Sequence, residues 1–272
     1  MPLPIPADPR GLTPEFLSEL VSELHPGLLV LSCDIADSKR YGDASNAASV
    51  STSAQVKCRV RYGGRTAVAL PEQLFVKISF PEIQGSSNPV LDAFFENEVR
   101  FYGRLRRELD IETPQSIGGR YDPESTRFAL LLEDLTPRSA HINTMMDDDN
   151  LDVVRALLDA LARLHARFWE SPRLAADQSW VQNLVQGSLE TLFDDYICAH
   201  IVKEVGLEKF KREFAQAVGA TAEELYAGTK LLKRHQAKLP RTFLHGDAHF
   251  GNTYVLPDGT AGRSSMASSW DG

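Results

Sequence analysis

The spacing of apolar residues along this chain predicts both strands and helices. Alternation with polar residues, or short continuous apolar runs, predicts strands over residues 28–35, 56–62, 74–78, 128–132 and 253–256. Apolar residues at intervals of three and four predict helices over 14–25, 91–105 and 151–169, with two or three more between 189 and 238. Most predicted strands therefore lie in the first half of the chain, and most predicted helices lie in the second.

Two helix starts carry capping residues. Thr13 precedes Pro14, and Thr221 lies three positions before Glu224, as in a capping box. The stripe predicted to pack inward on the 151–169 helix is Leu151, Val154, Leu158, Leu161, Leu164, His165, Phe168 and Trp169.

Two charged residues lie where the pattern is otherwise apolar. Lys77 lies in the strand over 74–78, and Glu98 lies in the middle of the stripe of the helix over 91–105. A carboxylate in that position must be paired, because burying an unpaired charge costs several kcal/mol. We expect Lys77 to be its partner. The alternatives are an edge-strand lysine that reaches solvent and Glu96 as the paired acid, although Glu96 points off the stripe.

The segment with the clearest candidates for catalytic residues lies near the end of the chain. Residues 243–252 read Phe-Leu-His-Gly-Asp-Ala-His-Phe-Gly-Asn. Asp247 and Asn252 are five positions apart, the spacing of a kinase catalytic loop. Gly246 and Gly251 allow sharp turns close to a phosphate. This pattern resembles the catalytic loop of protein-kinase-like small-molecule phosphotransferases, which include aminoglycoside phosphotransferases, choline kinases and the ecdysteroid-kinase-like group.

The resemblance implies an α+β, two-lobed, protein-kinase-like fold. An N-terminal nucleotide-binding lobe, with an antiparallel sheet and one helix, would occupy residues 1–135, and a mainly helical catalytic lobe would occupy 136–272. The reaction implied is ATP-dependent transfer of phosphate to a hydroxyl of a small molecule. The small, polar residues 36–53 would then cover the phosphates, although an ordinary hairpin is equally compatible with them.

The resemblance also implies a role for each candidate site residue. Asp247 would be the catalytic base, Asn252 would bind Mg²⁺, and His245 would brace the loop. Lys77 would contact the ATP phosphates, oriented by Glu98. The backbone of the linker after residue 132 would bind the adenine edge, and the residues that would do so are Glu133 and Leu135.

The chain departs from this family after residue 260. The family continues with an apolar strand that ends in a second metal-binding Asp followed by an aromatic residue. Here the tail is rich in serine, and Asp271 follows Trp270. We expect that the tail reflects a shifted reading frame or a truncated gene, and neither Asp271 nor Asp258 is assigned the metal role. A catalytically impaired kinase-like protein is therefore one alternative, and a metal-dependent phosphohydrolase is another.

Composition narrows the classes of function. The net charge of −8 argues against nucleic-acid binding, which requires a basic surface. The N-terminus lacks a signal-peptide pattern, and no apolar run approaches the ~20 residues needed to span a membrane. Three widely spaced cysteines favour buried free thiols in a reducing cytoplasm. We therefore expect a cytoplasmic protein whose partner is a small molecule.

Overall fold

The computed structural model describes residues 2–39, 53–64, 69–79, 89–143, 151–181, 183, 185, 188–191, 194, 202–203, 209–246 and 248–263. The strands are β1 Leu28–Lys39, β2 Ser53–Gly64, β3 Gln73–Ser79, β4 Ser116–Asp122, β5 Arg127–Glu133, β6 His141–Ile142, β7 Thr253–Val255 and β8 Ala261–Arg263. The α-helices are α1 Pro14–Leu24, α2 Pro89–Arg100, α3 Leu151–Phe168, α4 Ser188–Thr191, α5 Lys209–Val218 and α6 Ala222–Gln236. Shorter helical turns are Pro9–Gly11, Phe101–Leu105, Arg106–Glu108, Thr136–Arg138, Pro172–Ala175 and Phe250–Asn252.

Within the described residues, β1 to β5 form an antiparallel sheet in the order β1-β2-β3-β5-β4. The register pairs Val56 with Val76, and it pairs Lys77 with Gln55 on one side and with Leu130 on the other. A smaller antiparallel sheet has the order β6-β7-β8. Antiparallel strands together with several helices confirm the predicted α+β class.

One face of the larger sheet packs against α1. Leu17, Leu20 and Val21 of the helix lie in one apolar cluster with strand residues that include Val56 and Val76, and all five are fully buried. The predicted cap is present, because the Thr13 side chain accepts a hydrogen bond from the third residue of the helix, with Pro14 at its start. This packing leaves the opposite face of β2 and β3 for polar side chains.

The strand predictions needed corrections at β1, β4 and β6, and the short strand β6, His141–Ile142, was not predicted. β1 extends to Lys39, four residues beyond the predicted end, and register shifts between Val30 and Ser32 and between Ile35 and Asp37 interrupt its alternation. β4 was not predicted at all. Its sequence contains the pair Gly118-Gly119, and glycines weaken the strand signal.

The helix predictions were partly wrong in their details. α2 ends at Arg100 and continues as one turn of π-helix, Phe101–Leu105. α3 ends at Phe168, so Trp169 lies just beyond it. Leu151 and Leu158 of α3 and the adjacent Trp169 are exposed, whereas the following residues are buried: Leu157, Leu164 and Phe168. Leu157 and Leu158 are adjacent and cannot both face inward, and the sequence pattern selected the wrong one. The capping box predicted for α6 is present.

The chain divides into two compact units. One contains Met1–Arg163 and Asp247–Ala267, and the other contains Leu164–Gly246 and Ser268–Gly272. These units do not follow the predicted lobe boundary at residue 135, and the lobe assignment stays a prediction. None of the described helices has the length and apolar character needed to cross a membrane.

The expectation of buried free thiols holds for Cys58, whereas Cys33 is only half-buried. Cys33 and Cys58 are free thiols, and Cys58 is buried in the sheet core, as predicted. Cys198 lies outside the described residues.

Candidate active site

Lys77 lies in the middle of β3 and forms an ion pair with Glu98 of α2. The lysine Nζ is 2.6 Å from Glu98 Oε1 and 2.7 Å from Oε2, so one ammonium donates to both carboxylate oxygens. The two side chains are 13% and 5% exposed, respectively. Val76 and Ile78 face the buried side of the sheet, as the two-residue period of a strand requires. The predicted pair is present, and its role towards a nucleotide stays a prediction.

Glu98 is buried because α2 packs its apolar side against the sheet. On that side, the ring of Phe95 stacks on Phe128 of β5 with 4.4 Å between ring centroids. Glu98 follows Phe95 by three positions and therefore lies on the same side of the helix. The competing acid, Glu96, instead pairs with Arg100 one helical turn away at 2.5 Å. Helix geometry thus selects Glu98 as the partner of the strand lysine.

The linker after β5 is held by backbone hydrogen bonds. The N–H of Glu133 donates to the carbonyl of Gln115 at 2.9 Å, and the N–H of Asp134 donates to the carbonyl of Gln73 at 3.0 Å. For the N–H of Leu135, the structure shows no acceptor among the described residues. A nucleobase edge would need a donor of this kind, and Leu135 as a whole is 8% exposed. The assignment of Glu133 and Leu135 to adenine binding stays a prediction.

A second lysine contacts this linker, and sequence reasoning missed it. Lys57 Nζ lies 3.3 Å from Asp134 Oδ1 and 2.7 Å from Thr136 Oγ1. Burial raises the pKa of Asp134, but hydrogen bonds from Thr136 and the nearby Lys57 ammonium outweigh it, so the pKa lies below its ordinary value. The available signal was the alternation of Lys57, Arg59 and Arg61 with apolar residues in β2, together with an acid directly after β5.

Asn252 ends a 3-10 turn directly before β7. Its N–H donates to the carbonyl of His249 at 3.1 Å. The hydroxyl of Thr253 donates to the carbonyl of Phe250 at 2.7 Å and accepts from Asn143 Nδ2 at 2.7 Å. These bonds fix the backbone on both sides of Asn252, while its role as a metal ligand stays a prediction.

Other predicted parts of the site lie partly or wholly outside the described residues. Asp247, residues 40–52 of the small-residue loop and residues 264–272 of the tail belong to this group. Gly246 has a φ of +80°, which agrees with the sharp turn expected there. His245 is buried with an exposed fraction of 2%, and its bracing role stays a prediction.

The described residues alone do not provide a magnesium site. In that part of the chain, no group of three or more His, Cys, Asp or Glu could hold a metal ion. The amide oxygen of Asn252 is a suitable hard ligand for Mg²⁺, but one such ligand does not make a site. A site that includes Asn252 would need carboxylates from outside the described residues, such as Asp247.

The hairpin after Asn252 contains a returning strand, β8. The sequence analysis did not predict an apolar strand at this position. β8, Ala261–Arg263, is only three residues long, and it pairs with β7. Arg263 is 3% exposed, and its Nε and Nη1 have no hydrogen-bond partner among the described residues. Burial lowers the pKa of this guanidinium to about 10. Asp258 lies in the exposed turn and accepts a hydrogen bond from the N–H of Thr260 at 2.9 Å.

Comparison with known proteins identifies one family. The family model described as the phosphotransferase enzyme family matches residues 73–263, a range that includes Lys77, Glu98, the linker and Asn252. No curated protein sequence matches the chain significantly.

Among solved structures, the chain is similar to choline kinase LicA from Streptococcus pneumoniae, with 12% sequence identity and a TM-score of 0.34. The match covers 87% of this chain and 66% of that kinase, so this chain spans slightly less than two thirds of the kinase's length.

Proposed function

Because the chain belongs to the phosphotransferase enzyme family, we propose that it transfers the terminal phosphoryl group of ATP to a hydroxyl of a small molecule. The observation that carries this proposal is the buried ion pair between Lys77 and Glu98. An ammonium held by both oxygens of a carboxylate has a fixed position and still has a third N–H to donate. Held in this way, Lys77 is suited to contact the phosphate oxygens of a nucleotide.

The linker supports the nucleotide part of the proposal. Its first two N–H groups are used within the protein, and the N–H of Leu135 is the next donor along the chain. Leu135 follows the end of β5, and β5 pairs directly with the strand that carries Lys77. One end of an extended ligand would therefore contact the linker and the other end Lys77, as binding of a base and its phosphates requires.

The transfer itself is assigned to the loop that ends at Asn252. The hydroxyl oxygen of the acceptor attacks the terminal phosphorus of ATP, a new P–O bond forms, and the bond to ADP breaks. The hydroxyl proton passes to the carboxylate of Asp247. Mg²⁺ supplies charge neutralisation of the phosphates when bound, and Asn252 is the described residue that would hold it. Lys77 would hold the donor phosphates in position during the attack.

Phosphoryl transfer from ATP to candidate alcohols tests this proposal. The purified chain would be incubated with ³²P-labelled ATP and a set of aminoalcohols, amino sugars and polyols. We expect a labelled product with at least one class, and a decrease of about 100-fold or more for Asp247→Asn, because the base is lost. Asp177→Asn is the matched control, because Asp177 is 59% exposed and pairs with Arg173 on the surface.

The outcomes of this assay separate three functions. Product formation that depends on Asp247 supports the kinase. Phosphate release from phosphoesters without ATP would instead support a metal-dependent phosphohydrolase. Binding of ATP without any transfer would support a catalytically impaired member of the family. Transfer at the wild-type rate by Asp247→Asn would contradict the assigned base.

A cytoplasmic location belongs to the same proposal. The free thiols Cys33 and Cys58 support it, because unpaired cysteines are typical of reducing compartments. ATP is also available there as the phosphate donor.

A further inference from the structure

Glu112 connects the linker to the hairpin that follows Asn252. One oxygen of its carboxylate, Oε1, accepts a hydrogen bond from Arg138 Nη1 at 2.8 Å and another from the Tyr254 hydroxyl at 2.7 Å. Its backbone carbonyl accepts a hydrogen bond from the N–H of Arg263 at 3.3 Å. A single residue thus contacts the segment after the linker and both strands of the hairpin.

Each contact reaches a segment of the candidate site. Arg138 ends the short helix Thr136–Arg138 that follows the linker, and its guanidinium also lies 3.5 Å from the Glu133 carboxylate. Tyr254 lies in β7, two residues after Asn252. Glu112 therefore joins the segment assigned to the nucleobase to the segment assigned to the metal ion.

The packing around Tyr254 keeps its ring in place. Tyr254 is fully buried. A Cβ atom on Gly262, its partner across the hairpin, would lie 2.4 Å from the Tyr254 ring and 2.8 Å from Glu112 Cγ, so only glycine fits there. Burial raises the pKa of Tyr254, and the hydrogen bond to Glu112 raises it further, so the hydroxyl remains a donor. The ring cannot move away from Glu112 without disturbing the hairpin.

We propose that Glu112 is a positioning residue, which fixes the distance between the nucleobase-binding linker and Asn252. The proposal rests on the proposed function, because a donor nucleotide would have to reach both segments at once. The reacting phosphate must be held within a fraction of an ångström of its productive position. Glu112 does not contact the nucleotide in this account, and it acts only through Arg138 and Tyr254.

Amide hydrogen exchange on the full chain tests whether the two segments are coupled. Tyr254→Phe removes one donor to Glu112 in the hairpin, and Arg138→Met removes the other donor in the linker. We expect each change to speed exchange about tenfold in its own segment and about threefold in the other, because both donors share one acceptor. The segments to compare are 133–140 and 252–263.

Tyr102→Phe is the matched control for Tyr254→Phe. Tyr102 is also fully buried, but its hydroxyl has no hydrogen-bond partner among the described residues. We expect no change in exchange at either segment in this variant. If Tyr254→Phe changes only the hairpin, and Arg138→Met changes only the linker, the positioning role of Glu112 is wrong. This result does not depend on any enzymatic activity.

A kinetic measurement links the coupling to the reaction. In Tyr254→Phe we expect kcat for phosphoryl transfer to fall about tenfold while KM for ATP changes less than about twofold, because the nucleotide still binds but is less well placed. Glu112→Gln keeps an acceptor oxygen and should recover most of the activity that Glu112→Ala loses. Equal losses in Gln and Ala, or a change confined to KM, would overturn the assignment. If the wild type transfers no phosphate, the proposed function fails, whereas the exchange experiment still decides the coupling.

Discussion

Two charged side chains are buried in the same compact unit, and their surroundings differ. Glu98 is 4% exposed, and both its oxygens accept hydrogen bonds from Lys77. Arg263 is 3% exposed, but its Nε and Nη1 have no partner among the described residues. The first charge is neutralised by a neighbour that the helix and the sheet place beside it. The second remains charged at a desolvation cost that no described carboxylate offsets.

The difference separates a region whose buried charge is paired from a region whose buried charge has no partner among the described residues. The region around Lys77 satisfies its charges within the protein and presents a fixed ammonium. The hairpin that ends in Arg263 retains a buried positive charge, which should lower the stability of the fold. Substitutions in the first region should therefore reduce activity and stability together, whereas substitution of Arg263 should increase stability.

Lys77→Met should have the largest effect. It removes the proposed phosphate contact, so we expect transfer from ATP to fall about 100-fold or more. It also leaves Glu98 buried without its partner, which should lower the free energy of unfolding by about 3–5 kcal/mol. Lys209→Met is the control, because Lys209 is 82% exposed and pairs with Glu213 on the surface. The labelled-ATP assay measures the loss of activity, and denaturant unfolding measures the loss of stability. Similar losses in Lys77→Met and Lys209→Met would contradict the role assigned to Lys77.

Arg263→Met should raise the free energy of unfolding, whereas Lys77→Met should lower it. Replacement of a buried guanidinium that has no carboxylate partner among the described residues by an apolar side chain should raise the free energy of unfolding by about 2 kcal/mol. Arg10→Met, at a position where the side chain is 88% exposed, should change stability by less than about 0.5 kcal/mol. Thermal unfolding measures both variants. A lower melting temperature for Arg263→Met would show that the guanidinium has a stabilising partner.

The advantage of Arg263→Met should also depend on pH. Burial lowers the pKa of Arg263 to about 10 in the folded protein, below its ordinary value in the unfolded chain. Between these values the unfolded chain binds more protons, so the wild type gains stability as pH rises. The difference between variant and wild type should therefore be largest below pH 10 and decrease above it. If the stability difference between Arg263→Met and the wild type does not change above pH 10, the charge assigned to Arg263 is wrong.

Asp134→Asn should have a smaller effect. It weakens the contacts with Lys57 and Thr136, so we expect a loss of about 1 kcal/mol at neutral pH. The folded pKa of Asp134 lies below its ordinary value of 3.8, so its contribution is present above pH 3.8 and is lost as the pH falls through the folded value. Melting temperatures of wild type and variant should differ at pH 7, and the difference should decrease as the pH falls below 3.8. Asp152→Asn, at an exposed position, should show no difference at either pH.

Tyr102→Phe should have the smallest effect on stability. The hydroxyl it removes is buried without a hydrogen-bond partner among the described residues, so we expect a change within about 0.5 kcal/mol, and towards higher stability. Denaturant unfolding checks this value. A loss above about 1 kcal/mol would show that the Tyr102 hydroxyl has a partner.

The sequence predicted the contacts that depend on local periodicity. Glu98 could be identified because helical spacing places it on the same side as Phe95, and Lys77 because it interrupts an apolar strand. The chemistry then required the two charges to meet. The caps at Thr13 and Thr221 follow from similarly short-range rules.

Contacts between distant segments could not be predicted in the same way. Glu112 lies in a stretch without clear periodicity, and its partners are 26 and 142 positions away in the chain. β4 was not predicted, because its glycines do not contribute to a pattern of apolar residues. The buried face of α3 was misassigned because Leu157 and Leu158 compete for it, and tertiary packing decides between them.

Binding of a non-hydrolysable ATP analogue, measured by titration calorimetry, tests the central claim most directly. The claim is that Lys77, held by Glu98, contacts the phosphates of the donor. We predict binding to the wild type and to Lys209→Met with the same affinity, and affinity weakened by about tenfold or more in Lys77→Met. Equal affinity in Lys77→Met and the wild type, or no binding to the wild type at all, would contradict the account.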